Sequence, residues 1–365
     1  MLVIKEKANI KTEYPLENVC DISKSLFFDI ETTGFSRQYC NIYLIGCMYY
    51  EDGVLMYTQW LAENFNDEKN ILTDFHNFIK RFDTLIHFNG NSFDIPFIKE
   101  RGEKYKLDFN FEAFKSIDLY KSVSKINHIL KMENQKQKTF EIMLGYNRTD
   151  PFSGGDLIEV FKQYVESKDS RLIYPLLLHN KEDLFGMGYL SNLLVLNDIK
   201  LHSYELIQSY LSDYIDMNGD KALELIIKLK LETKLLFPII YNYDGIYIKV
   251  NGDRIFITVA VKNGTFKYFF KNYKDYYYLL LEDEAIHKSV GSYVDSKYRQ
   301  QATPSTCYTK RKGEFLPLYD ISLCEQVFYQ QYKDKQGYIP LSALDNINII
   351  EYCNSLITYL FTKSK

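Results

Sequence analysis

Apolar and polar positions alternate along the first half of the chain in a strand-and-helix rhythm. Leu26–Ile30 is a short apolar run that closes on acidic residues, the pattern of a buried strand. Asn41–Tyr50 is a second such run, Glu51-Asp52-Gly53 signals a turn, and Val54–Leu61 reads as the return strand of a hairpin. Asp67–Phe82 places Ile71, Leu72, Phe75, Phe78, Ile79 and Phe82 at helical spacing. Thr84–Phe88 is strand-like again, and Ser116–Leu119 is a further short strand. Between them Asp94–Tyr105 reads as a helix with Pro96 in its first turn, where a missing N–H is tolerated. From Lys121 to Leu211 the pattern is helical, broken at Asn147–Gly155 and around Lys168. This order predicts a mixed sheet. Its first three strands run antiparallel, and the later ones are joined by helical crossovers.

The second half is less regular. Tyr243–Ile248 and Arg254–Val261 read as strands about a turn at Asn251-Gly252-Asp253, and Asn263-Gly264 marks another turn before Thr265–Phe270. A helix closes the pattern at Asn346–Phe361. The chain therefore divides into an N-terminal extension (1–24), an α/β domain (25–200), a helical connection (201–235) and an α+β C-terminal domain of unrecognised fold (236–365).

Composition narrows the classes. Over 365 residues, 46% hydrophobic content excludes a disordered chain, and the length suits two domains. Lys and Arg total 44 against 48 Asp and Glu, so nucleic-acid binding would need a local basic patch. None of the six cysteines stands in a Cys-x-x-Cys pair, which argues against a zinc ribbon or a disulfide scaffold. The longest apolar runs, Leu172–Leu178 and Leu235–Tyr241, fall far short of the ~20 residues that a spanning helix needs. With no apolar leader in the first residues, the expected location is cytoplasmic.

Three segments carry chemistry. In Phe27-Phe28-Asp29-Ile30-Glu31-Thr32-Thr33-Gly34, Asp29 and Glu31 lie two apart on a strand and share a face. Two such carboxylates repel unless neutralised, and a divalent cation with oxygen ligands does this well. In His87-Phe88-Asn89-Gly90-Asn91-Ser92-Phe93-Asp94, the acid stands at a helix start. It either caps the helix or faces a metal, with Asn89 and Phe93 lining a substrate track. In His179-Asn180-Lys181-Glu182-Asp183, His179 and Asp183 share one face of an otherwise apolar helix. They form either a surface pair or a metal-facing acid beside a general base.

These segments, in this order, resemble the three motifs of the DEDD superfamily of 3′–5′ exonucleases, and most of all its YprB-like branch of ribonuclease H-like proteins. The likeness spans roughly residues 25–195 and includes Leu144-Gly145, Arg148 and Gly154-Gly155. It implies a ribonuclease H-like mixed sheet flanked by helices over 25–200. It also implies two divalent cations, Mg²⁺ or Mn²⁺, held by Asp29, Glu31, Asp94 and Asp183, with His179 taking the proton of the attacking water. Thr32, Thr33, Gly34, Asn89 and Phe93 then touch a single-stranded DNA or RNA substrate, and a helicase or repair partner follows by family analogy only. The chain departs from the superfamily in one respect. A Tyr stands four residues before the last Asp, or a His five before it, whereas here His179 stands four before Asp183. Tyr174, nine before, ranks second as the base.

Lys249–Lys312 carries 12 Lys and Arg against 6 Asp and Glu, a local excess of 12 − 6 = +6, with aromatics interleaved from Phe266 to Tyr278. Either this is an ordinary strand pair, or it is a single-strand groove in which bases stack and phosphates pair. Lys297, Arg299, Lys310, Arg311 and Lys312 form a second basic cluster around the polar stretch Gln300–Thr306, either an ordinary solvated loop or a phosphate-contacting one in which Lys310, Arg311 and Lys312 are the candidate contacts. The alternative to an exonuclease is a nucleic-acid-binding or adaptor protein with a relict nuclease fold.

Overall fold

A computed structural model describes residues 1–362 and divides the chain into two compact units. The first comprises Met1–Asp198 with Thr233–Phe237. Its sheet is built from β1 (Leu2–Lys7), β2 (Ser25–Thr32), β3 (Ile42–Glu51), β4 (Val54–Leu61), β5 (Thr84–His87) and β6 (Lys115–Asp118), in the order β1-β4-β3-β2-β5-β6. β2, β3 and β4 pair antiparallel, while β2–β5 and β5–β6 are parallel, as the sequence pattern predicts. The β3–β4 hairpin turns at Asp52 and Gly53, both at positive φ (51° and 76°), as a two-residue Asp-Gly turn requires. Residues 2–7, in the expected extension, add an edge strand beside β4.

The parallel strands need crossovers, which α1 (Glu68–Ile79) and α2 (Asp94–Lys104) provide. α1 buries Ile71, Leu72, Phe75 and Ile79 against the sheet, which is why its apolar spacing was helical. After β6 come the short helices α3 (Leu119–Ser124), α4 (Asn127–Leu130) and α5 (Gln137–Met143). Then follow α6 (Gly154–Ser167), α7 (Ile173–Leu190) and α8 (Val195–Lys200). α6 starts at a capping box between Ser153 and Asp156. α7 is largely buried and packs on β2 and β3. No helix among the described residues is long and apolar enough to cross a membrane.

The second unit, Ile199–Glu232 with Pro238–Lys365, is rich in strands. β7 (Tyr204–Ile215), β8 (Lys221–Tyr243) and β9 (Ile246–Ala260) form one sheet. β10 (Lys262–Phe269), β14 (Tyr308–Leu318) and β15 (Gly337–Pro340) form a second. β11 (Tyr276–Leu279), β12 (Glu284–His287) and β13 (Arg299–Gln301) form a third. Its helices are α9 (Lys288–Gly291) and α10 (Ile349–Thr362), the latter close to the expected closing helix.

Three expectations are corrected in this unit. Residues 201–235 are mostly strand, not a helical connection. Leu225, Ile227, Leu229 and Leu231 are buried at a period of two, a strand signal that the apolar cluster at 204–211 masked with near-helical spacing. The turn before β9 falls at Asp244-Gly245, both at positive φ, while Asn251-Gly252-Asp253 lies within β9. Asn263-Gly264 does not turn either, because β10 runs through it in register with β14, Gly264 opposite Gly313.

Candidate functional site

The site in the first unit is assembled from three elements. β2 presents Asp29 and Glu31 on one face, α2 begins with Asp94, and α7 presents His179 and Asp183. His179 Nε2 lies 3.7 Å from Glu31 Oε1 and 3.4 Å from Asp183 Oδ2. One ligand atom from each of Glu31, His179 and Asp183 lies within 4.8 Å of the other two. Asp29 and Asp94 are not of that trio but stand beside it: Asp94 Oδ1 accepts the backbone N–H of Ile30, between the two strand acids, at 3.2 Å, and the Asp183 charge acts on both. Asp94 is therefore no simple helix cap.

Electrostatics mark this as an under-neutralised cluster. Desolvation raises Asp29 well above the usual carboxylate range, reinforced by Asp183, Asp94 and Glu31. Burial pushes Glu31 up to about 8 even with His179 beside it, and Asp94 up to about 7. Burial works against a charge on His179, but Glu31, Asp183 and Asp150 outweigh it and raise its pKa. Carboxylates held this close are an oxygen donor set that suits a divalent cation, with an imidazole nitrogen at its edge.

Close approach of α7 to the sheet is what brings the site together. Gly46 of β3 stands opposite Asp29, and a Cβ there would lie 1.9 Å from Asn180 Oδ1 and 2.9 Å from Leu184 Cδ1. The space is filled by Asn180, which donates to Asp29 Oδ2 at 2.9 Å and accepts from Gln59 Nε2 at 2.9 Å. A Gly46→Ala variant therefore has to lift α7 off β2. It should lose roughly 1–3 kcal/mol of stability by overpacking, read by thermal melting.

The second motif is held from β6. Asn89, at a left-handed φ of 61°, donates its N–H to Asp118 Oδ1 at 2.8 Å, and Asn91 Nδ2 donates to Asp118 Oδ2 at 3.2 Å. His87 Nδ1 accepts the N–H of Gly90 at 3.0 Å, so its proton sits on Nε2 and is donated to Ser116 Oγ at 2.9 Å. Burial lowers the His87 pKa to about 4. The Ser116–His87–Asp118 group therefore shapes the loop and does not activate a nucleophile.

Thr32 Oγ1 donates to Gly34 O at 2.8 Å and Thr33 Oγ1 accepts the N–H of Asn41 at 2.9 Å, closing the loop after β2. Phe35 on that loop is 88% exposed, and its ring lies 6.3 Å from that of Phe93. Tyr174 is exposed at the start of α7, about 13 Å along the helix axis from Asp183, so it stands apart from the cluster. Lys310, Arg311 and Lys312 lie on strand β14 of the second unit, not on a loop. Lys310 pairs with Asp283 at 3.2 Å and Arg311 donates to Ser342 Oγ at 2.9 Å.

Several residues that hold the site have no role in the sequence reading, which names Arg148 only as part of the family resemblance. Arg148 Nη2 lies 2.5 Å from Asp183 Oδ1 and 2.6 Å from Glu141 Oε1, while its Nε lies 2.5 Å from Glu141 Oε2. Asp150 Oδ2 lies 2.5 Å from His179 Nδ1. Glu182 accepts from the backbone and hydroxyl of Thr149 and from the N–H of Asp150. Asn180 and Glu182 lie inside the third motif and could have been found as polar residues on a buried helix. Asp150 sits in what reads only as a break between helices, and Arg148, in the same break, enters the resemblance without a role.

Residues 26–195 match the model of the RNase_H superfamily. The first unit thus carries a ribonuclease H-like fold. No curated protein matches the chain in sequence. Among solved structures, the family B DNA polymerase of the archaeon Pyrobaculum calidifontis is similar at 18% identity and a TM-score of 0.39, over 49% of this chain and 25% of the polymerase. E. coli exonuclease I in complex with a dT13 oligonucleotide is similar at 9% identity and a TM-score of 0.33, over 56% of this chain and 54% of that one. Its zinc-bound complex with single-stranded DNA is similar at 12% identity and 0.30, over 59% and 55%. The chain thus spans a quarter of the polymerase and little more than half of exonuclease I.

Proposed function

We infer that this chain is a metal-dependent 3′–5′ exonuclease that hydrolyses phosphodiester bonds of single-stranded DNA or RNA. One observation carries the reading. Carboxylates from β2, α2 and α7, far apart in sequence, converge on one buried spot with His179 Nε2 among them.

Asp29, Glu31, Asp94 and Asp183 would hold two divalent cations, Mg²⁺ or Mn²⁺. When bound, these supply a water of lowered pKa and charge stabilisation at the leaving 3′ oxygen. His179 Nε2 takes the proton of the attacking water and later releases it to solvent. Phe93 and the exposed Phe35 offer faces on which the terminal bases stack, and the Thr32-Thr33-Gly34 turn and Asn89 bring backbone close to the sugar-phosphate. Lys310, Arg311 and Lys312, with the tyrosines around them, contribute salt-sensitive strand binding through the second unit.

The test uses 5′-labelled single-stranded DNA and RNA of one sequence with Mn²⁺, beside EDTA and Asp94→Ala. The expected result is a ladder shortening from the 3′ end, absent from both controls, on at least one of the two strands. Tight binding without cleavage would instead make the chain a binding protein on a nuclease fold.

A further inference from the structure

Loop 148–150 meets α7 residue by residue. Arg148 pairs with Asp183, Thr149 with Glu182, and Asp150 with both Glu182 and His179. Nothing in a nuclease of carboxylates and divalent ions requires a further buried acid behind the histidine. Yet the Asp150 side chain is fully buried, and its Oδ2 lies 2.5 Å from His179 Nδ1. It is also held on every side. Its backbone N–H donates to Glu182 Oε2 at 2.8 Å, and its Oδ1 accepts the N–H of Phe152 at 3.0 Å. Lys138 Nζ stands 3.4 Å from its Oδ2. Glu182 in turn is occupied by Thr149, through N–H at 2.9 Å and Oγ1 at 2.7 Å.

We propose that Asp150 is a positioning residue, which keeps the His179 proton on Nδ1 and leaves Nε2 free to accept a proton at the acid cluster. The need for such a residue follows from the ring's geometry. Nε2 is the nitrogen that faces Glu31 and Asp183, at 3.7 and 3.4 Å. A neutral imidazole carries a single N–H, and Nε2 can accept a proton only while that N–H sits on Nδ1. A buried, rigidly held carboxylate 2.5 Å from Nδ1 favours that tautomer. The same logic makes an orienting acid valuable wherever a histidine must present one particular nitrogen. Glu182 and Thr149 fix Asp150, so the break between α5 and α6 is part of the site.

This inference rests on the nuclease reading, and its test separates the two. Asp150→Asn is nearly isosteric, but its amide can donate to Nδ1 and so favours the wrong tautomer. In the Mg²⁺-loaded full chain at pH 9, with ¹⁵N-labelled histidine, His179 should show a protonated Nδ1 and a bare Nε2 in the wild type. That pattern should reverse in Asp150→Asn. On a single-stranded substrate with Mn²⁺, kcat should fall on the order of 10²-fold, while KM and the Mn²⁺ dissociation constant stay within about threefold. Asp150→Glu, which restores the acceptor, should recover part of kcat. A wild-type His179 carrying its proton on Nε2 overturns the proposal, as does an Asp150→Asn variant with an unchanged pattern and unchanged kcat. A wild type that binds Mg²⁺ but cleaves no strand overturns the nuclease reading, and the tautomer measurement still decides the role of Asp150.

Discussion

An Asp29→Asn variant should cleave single strands at roughly a thousandth of the wild-type rate or less, and at the same time melt at a higher temperature in EDTA at alkaline pH. Both effects have one cause. Asp29 stands in a cluster where desolvation and three other carboxylates raise its pKa. Asparagine keeps the volume, and its Oδ1 can still accept from Asn180 Nδ2, which donates to Asp29 at 2.9 Å. Only the charge is lost, and with it one ligand for a divalent ion. The stability effect follows from the folded-state pKa values of the neighbours. Glu31 moves from 4.5 up to about 8 and Asp94 from 3.8 up to about 7. Groups raised in this way stabilise the fold fully below about pH 4. That contribution is lost as pH rises through 7 and 8, when they must ionise together in the folded state. Removing the Asp29 charge lowers the repulsion they meet. The two melting temperatures should therefore coincide near pH 4 and separate by roughly 3 °C by pH 9. Mn²⁺ should reverse the order, because only the complete acid set gains fully from the ion. Melting curves at pH 4 to 9, with EDTA and with Mn²⁺, measure this directly. Activity above a tenth of wild type would remove Asp29 from the metal site.

The parts of the site that could be read in sequence share a physical signature. Asp29 and Glu31 follow an apolar strand, Asp94 begins a helix after a Gly-containing turn, and His179 and Asp183 break an apolar helix face. In each case a charge sits where burial should exclude it, so local pattern alone raises the question of a partner. Five of the six strands of the first sheet, β2 to β6, and their crossovers were legible for a related reason, whereas β1 was not read as a strand. Both faces of β3 are buried and α1 has one apolar stripe, so burial and periodicity agree. Arg148 and Asp150 carried no such signature. They occupy an irregular segment, and their partners on α7 lie 35 and 29 residues away. Only the folded chain reveals that pairing. The second unit was harder to read because β7 is exposed over most of its length. Without one buried face, its apolar residues follow no period that separates strand from helix. Asn-Gly and Asn-Gly-Asp misled for another reason. Turn chemistry allows a hairpin but does not require one: the register of β10 on β14 overrode it at Asn263-Gly264, and β9 runs through Asn251-Gly252-Asp253.

Arg101→Met should cost about 3–5 kcal/mol, although Arg101 touches no acid of the site. Its guanidinium is 2% exposed and pairs with Glu68 through two bonds, Nε to Oε1 at 2.7 Å and Nη2 to Oε2 at 2.5 Å. Glu68 is equally buried and also accepts the N–H of Ile42 at 2.8 Å and the hydroxyl of Tyr105 at 2.8 Å. Methionine fills much of the space but leaves that carboxylate without its cation, which is what makes breaking a buried pair so costly. A double variant, Arg101→Met with Glu68→Gln, should therefore recover much of the loss, which a simple packing role for Arg101 would not predict. The remaining guanidinium bonds reach the loop between β2 and β3. Nη1 donates to the carbonyls of Arg37 and Gln38 at 3.3 and 3.2 Å, and Nη2 to Asn41 Oδ1 at 3.2 Å. That loop carries Phe35, which faces Phe93, and Arg37 itself donates to the carbonyl of Ser92 at 3.1 Å. Arg101 thus holds the loop that carries Phe35 while leaving the acids untouched. Below the melting temperature, KM for a single strand should rise several-fold in both variants with kcat nearly unchanged, the opposite split from that expected at Asp150. A fall in kcat with KM unchanged would mean that the loop is held by β2 and β3 alone, and that Arg101 acts through the core beneath the acids.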